Sequence, residues 1–333
     1  MKLRNSILAT ALCLSFATGS PTAHASADDL APFDAQIARG LPTRVCLPTP
    51  ESGQRCATVT QRLYSQIDTP QSGSARLFEA TVNGRPALIV RTDTGLNLVG
   101  ADENEPVMTL ADATDALPAP GEALPAPVAL TNATAYTVVE SDADAAPEDA
   151  IHIWIFLHDT AGENDHAKFL NRYVDWWIKD MEKTIKPGMP VRVSVRDHVP
   201  GITDLNYDEG RDFERALDVA QRGAKFARSE GAAITRLTKF VLFVDRPPTN
   251  WPSNRLGVAV EKFGASIISN RGHRHVFAHE MGHLFGATHE AAEDRFWCIT
   301  NMKDSEFARI PCWYYSGAND EYIRRYIAAN RRK

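Results

Sequence analysis

The chain has 333 residues, 44% of them hydrophobic and 23% charged, which is enough for two modest domains with filled cores and ordinary for a globular protein. Its net charge of −6 argues against nucleic acid as a partner, since such binders are expected to be basic.

In chain order, Lys2 and Arg4 precede an apolar run from Ile7 to Ala17 and then the small-residue stretch "TGSPTAHASA". This is the pattern of a signal peptide cut after Ala25 or Ala27, and the run is too short to span a bilayer. Residues 1–27 are therefore read as a leader. The mature chain is predicted to be secreted or periplasmic, without stable membrane insertion. Beyond Cys13 the cysteines are Cys46, Cys56, Cys298 and Cys312. They form two sequence-local pairs, which suits two short disulfides in an oxidising compartment, although three connectivities are open.

From Leu77 the chain reads "LFEATVNGRPALIVRTDTGLNLVG", with alternating strands on either side of Asn83-Gly84, the dipeptide of tight hairpins. Residues 28–112 are predicted to form a small β-rich domain. Residues 113–149 form a linker, first Pro/Ala-rich ("DALPAPGEALPAPVAL") and then acidic ("ESDADAAPEDA"), whose first part should be extended and semi-rigid. Charge divides at this seam. Residues 28–150 hold 18 acids against 7 arginines, a net of −11, and residues 151–333 hold 27 bases against 24 acids, a net of +3. Either the N-terminal domain docks on the remainder of its own chain through complementary fields, or its acids form a solvated surface.

Residues 150–333 alternate strands and helices. "IHIWIFLHD", "VRVSVRDHV" and "KFVLFVD" read as strands, while "AKFLNRYVDWWIKDMEKTI" and "DFERALDVAQRGAKFAR" have helical periodicity. "LGVAVEKFGASIISN" reads as one or two strands. The expected fold class is α/β with a mixed twisted sheet. The segment "DLNYDEG" (Asp204 to Gly210) hints at a calcium loop, but Arg215 stands where the bidentate acid belongs, so a solvated loop leading into the next helix is favoured.

"HVFAHEMGHLFGATHE", His275 to Glu290, carries the chemistry. His279 and His283, four apart on a helix, project from one face, with Glu280 beside the first. Gly286 can take the left-handed conformation that ends a helix, letting His289 swing back towards the other two. Three neutral nitrogens suit Zn2+ and leave its fourth position for water, whose proton Glu280 could accept as general base. His273 and His275 are read as polar residues at the helix start, since Val276 offers no base in that register.

The spacing His279-Glu280-x-x-His283-x-x-Gly286-x-x-His289 resembles the extended zinc motif of metzincin metallopeptidases. The resemblance covers roughly residues 150–290, where the order of strands and helices is that of a metzincin N-terminal subdomain, followed by a small C-terminal subdomain. It implies a methionine turn beneath the metal, for which Met302 is the candidate. The tail "PCWYYSGANDEYIRRYI" is similar to the adamalysin (reprolysin) branch, and a Cys298–Cys312 bridge would fasten the methionine loop to the last helix. Two positions depart from relatives. Glu290 stands where adamalysins carry Asp, and Asp304 stands where astacins and serralysins carry a tyrosine. The resemblance also implies substrate lying as an added strand along "GVAVEKFGASII". It makes residues 28–112 propeptide-like, the mark of a zymogen. Cys46 in "RVCLPT" then offers two alternatives, a disulfide with Cys56 or a cysteine that fills the metal's open position.

The implied activity is that of a secreted zinc-dependent endopeptidase acting on protein or peptide substrates. Two competitors remain: a catalytically weak or inactive protein of this fold that binds peptides or a host surface, and a zinc-dependent structural domain.

Overall fold

The computed structural model describes residues 27–49, 53–100, 108–109, 150–162, 165–252, 255–296, 298–303 and 310–331. The predicted leader up to residue 26 and the whole of the predicted linker, residues 113–149, lie outside the described residues.

The N-terminal part opens with helix α1 (Ala27–Arg39), an addition to the β-rich domain expected from sequence. Strands β1 (Thr43–Thr49), β2 (Gly53–Thr69), β3 (Gly73–Val82), β4 (Arg85–Arg91), β5 (Leu96–Gly100) and β6 (Met108–Thr109) follow. β3 and β4 form the hairpin expected at Asn83-Gly84, where both turn residues have positive φ (50° and 78°), matching the twist of the flanking strands. α1 covers one face of this sheet by burying Leu30 and Phe33, and Phe33 meets Phe78 edge to face.

The second part runs β7 (Ile151–Leu157), α2 (His166–Tyr173), α3 (Asp175–Asp180), a π-helical turn (Met181–Ile185) and β8 (Val191–Arg196). α4 (Asp212–Ser229), β9 (Thr238–Val244), β10 (Gly257–Val260) and β11 (Ala265–Ser269) come next. The chain closes with α5 (His275–Leu284), β12 (Cys298–Ile299), β13 (Ile310–Pro311) and α6 (Gly317–Asn330). The single amphipathic helix expected over "AKFLNRYVDWWIKDMEKTI" is broken at Val174 and ends in the π turn. The sheet faces explain the remainder. Ile151, Ile153, Ile155 and Leu157 of β7 point to a core beneath α2, α3 and α5, whereas Trp154 and Phe156 point to a second core beneath α4.

The two parts share one sheet. Among the described residues eleven strands form it, in the order β10-β11-β9-β7-β8-β2-β3-β4-β5-β6 with β1 on β2. β2 pairs in parallel with β8 through Gln66, Ile67 and Asp68. Leu63, Ile67, Leu77, Leu88 and Val90 belong to the same buried cluster as Trp177, Ile178 and Met181. A bulge in β2 turns the backbone N–H groups of Tyr64 and Ser65 towards the carboxylate of Glu182, which accepts from both. Two ion pairs cross the seam, Arg196–Asp68 at 2.6 Å and Lys183–Glu79 at 2.7 Å. β10, antiparallel to β11, is the edge furthest from the N-terminal strands, and α5 packs against it.

Candidate metal centre and active site

α5 leaves the end of β11 and carries His279 and His283 one turn apart on one face. Gly286 takes φ +82° just past the helix, and Ala287 N–H donates back to Gly282 O at 2.9 Å. That left-handed step turns the chain and returns His289 to the first two rings. His289 Nε2 lies 2.9 Å from His283 Nε2 and 3.0 Å from His279 Nε2, with ring centroids 4.7–4.9 Å apart. Asn319 of α6 fixes the turn from outside, since its side chain accepts from Thr288 N–H (2.9 Å) and donates to Thr288 O (3.1 Å).

The donor set can be tested against a metal from the opposite ring atoms. His279 Nδ1 donates to Asn301 O (2.9 Å) and His283 Nδ1 to Ala287 O (3.3 Å). A carbonyl only accepts, so both protons sit on Nδ1 and both Nε2 lone pairs face the common centre. Burial, reinforced by His283, pushes the His279 pKa down to about 3, which keeps that ring neutral. Among the described residues this is the one cluster of three or more His, Cys, Asp or Glu with ligand atoms close enough to share an ion. The residues fit a cation that accepts three imidazole nitrogens, as Zn2+ does.

Beneath the rings lies a dry floor. Met302 is fully buried, and its sulfur packs directly against the Cα of Gly282, between the two helical histidines. Tyr315 closes the far side, donating to Ala278 O (2.5 Å) and accepting from Trp177 Nε1 (3.0 Å). The Cys298–Cys312 disulfide ties the loop before Met302 to the chain entering α6. Ser316 caps that helix, accepting from Asn319 N–H at 3.2 Å and donating to Ala291 O.

Glu280 is 5% exposed, lies against Gly257 of β10, and lines a cleft of about 700 Å³ with the three histidines. The walls also include Arg255, Val258, Ala259, His275 and Lys303, so the edge strand forms one side and α5 the other. Among the described residues, none from the N-terminal strands lines it.

The other sequence candidates fall as follows. His273 and His275 flank the start of α5 and stand on the cleft wall. Glu290 is exposed, its carboxyl held below the usual range by backbone and Thr288 hydrogen bonds. In the loop weighed as a calcium site, the buried Arg215 guanidinium donates to Asp208 O and Glu209 O and pairs with Asp212, so a fixed side-chain cation holds the loop. Cys46 is bonded to Cys56 across β1 and β2, which leaves no thiol there to reach a metal. Asp304 lies outside the described residues. Sequence reasoning missed Asn301, Tyr315 and Asn319 as supports of the site. Asn301 and Tyr315 flank the cysteines and methionine already singled out, but Asn319 carried no local signal.

Residues 227–331 match Reprolysin_5, metallo-peptidase family M12. No curated protein matches the chain in sequence. In structure it is similar to metalloproteinase-II from Bacteroides fragilis, with a TM-score of 0.52 and 11% identity over 88% of this chain and 94% of that one. At that identity the likeness speaks for the fold. In fold and in the arrangement of its three histidines the chain resembles the metzincin-like metallopeptidases. The stretch from the last turn of α4 to the end of α6 carries the likeness to the reprolysin-type M12 peptidases.

Proposed function

We propose that the chain is a secreted zinc endopeptidase in which His279, His283 and His289 hold the ion and Glu280 is the general base. The observation that carries this reading is the convergence of three imidazoles, with His289 Nε2 2.9 Å from His283 Nε2 and 3.0 Å from His279 Nε2, on the wall of an open cleft they share with Glu280. When bound there, Zn2+ supplies a Lewis acid that polarises a carbonyl and brings the pKa of a coordinated water towards neutrality.

The chain's own groups do the remainder. Glu280 accepts a proton from the attacking water and passes it to the departing amine nitrogen. Met302 and Tyr315 keep the underside of the ligands dry, and the carbonyls of Asn301 and Ala287 hold two rings in the ligating tautomer. β10 offers its free edge to an extended peptide, which would add as a strand across the cleft. Secretion rests on the leader-like N-terminus and the two disulfides, and no helix among the described residues is long and apolar enough to cross a membrane.

The test is hydrolysis of a quenched peptide library with and without a chelator. The parent should cleave and lose that activity on chelation, and Glu280→Gln should keep one Zn2+ per chain while losing about 10²–10⁴-fold in kcat. Wild-type turnover in Glu280→Gln sinks the mechanism. Peptide capture without any hydrolysis points instead to a binding protein on this fold.

A further inference from the structure

We propose that Gly257 is a positioning residue for Glu280, present because the carboxyl occupies the place a side chain would take. The inference rests on Glu280 acting as the base. A Cβ at position 257 would stand 2.5 Å from Glu280 Oε1, 2.7 Å from its Cγ and 2.8 Å from its Cδ, well inside contact distance of three atoms. Those atoms are not the loose end of a surface chain. Glu280 is 5% exposed, and it springs from a helix pinned by two ligand histidines and packed on Met302 and Tyr315.

The need for glycine here is not conformational. Gly257 is absent from the positive-φ glycines, and it pairs in regular antiparallel register with Ile268. The ladder also continues past it, through Ser269 N–H to Leu256 O at 2.8 Å. Gly257 opens β10, and glycine within a strand ladder costs stability relative to residues with a side chain. The next three positions, Val258, Ala259 and Val260, all carry one. What distinguishes position 257 is the carboxyl facing it. Restoring an ordinary contact would move that carboxyl, or the strand wall behind it, by several tenths of an ångström to about 1 Å, a scale at which catalytic geometry loses up to about 10²-fold.

Gly257 thus sets the depth at which Glu280 sits in the cleft without itself touching substrate. The expected behaviour of Gly257→Ala in the full chain is a fall in kcat of about 10- to 100-fold with KM within about threefold. Zinc content should stay at one per chain, and Tm should be level with the parent or higher. Gly95→Ala serves as the control, because nothing lies within 4 Å of its added Cβ and its φ is ordinary. Glu280→Asp withdraws the carboxyl by one methylene. Its penalty should therefore be at least about fivefold smaller in the Gly257→Ala background than in the parent, the non-additivity of two groups in contact.

Three results would overturn the proposal: kcat of Gly257→Ala within about twofold of the parent, penalties that simply multiply, or loss of zinc together with activity. The last would show that the position serves the ligands rather than the base. Full activity in Glu280→Gln would instead remove the underlying reading, and is told apart by that variant alone.

Discussion

Gly286 holds His289, the proposed third ligand, in place by conformation rather than by space. Its φ is +82°, and a Cβ there would meet Tyr326 only at an ordinary 3.6 Å. Gly286→Ala should therefore cost about 1–2 kcal/mol of left-handed strain and release part of it by shifting His289. We expect a lower Tm in the metal-free protein and about tenfold weaker zinc affinity in a competing-chelator titration. Unchanged affinity would mean that the turn is set elsewhere, and Asn319 is then the place to look. This difference in origin decides what could be read from sequence. His279, Glu280, His283, Gly286 and His289 lie within eleven positions, so helical spacing followed by a glycine turn predicts their convergence. Asn319 and Thr288 are 31 residues apart, and Gly257 and Glu280 are 23 apart. Such pairs become neighbours only after the sheet and α6 have packed.

Among the elements, α3 places carboxyls where water does not reach. Asp175 is 1% exposed, its Oδ1 lacks a hydrogen-bond partner among the described residues, and burial raises its pKa to about 7. Asp180, at the end of the helix, is raised to about 7 by burial, a shift opposed by its hydrogen bond from Thr184 and reinforced by nearby Asp320. Since the folded pKa exceeds the unfolded value of about 4, the fold binds the extra proton. The contribution to stability is complete below pH of about 4 and is lost as pH rises through about 7. Asp175→Asn should accordingly melt above the parent at pH 8, with the gap closing by pH 4, in thermal scans of the metal-free protein. A gap independent of pH would assign the effect to packing. The strands of this part were legible because they are short apolar runs bounded by turn residues. The break at Val174 and the π turn after Asp180 were not, because the apolar pattern runs through both and only the fit against the sheet and α6 interrupts it.

Across the whole molecule, the cleft lies at one edge of the sheet and the N-terminal strands extend the other. Charge asymmetry suggested that the two parts could meet, and the ion pairs Arg196–Asp68 and Lys183–Glu79 do cross the seam. Composition could not reveal the parallel pairing of β2 with β8, which depends on a bulge and on Glu182 accepting from two amides there. Glu182→Ala should lower stability by about 1–3 kcal/mol in denaturant titrations, through loss of the acceptor for the amide of buried Ser65. Peptide hydrolysis at room temperature should stay at the parent's rate, because the cleft is far along the sheet. A large loss of turnover would mean that the seam reaches the catalytic groups. The seam also governs how the molecule comes apart. With backbone pairing and one apolar cluster running through both parts, neither can melt while the other stays native, so scanning calorimetry should record one endotherm whose van't Hoff and calorimetric enthalpies agree.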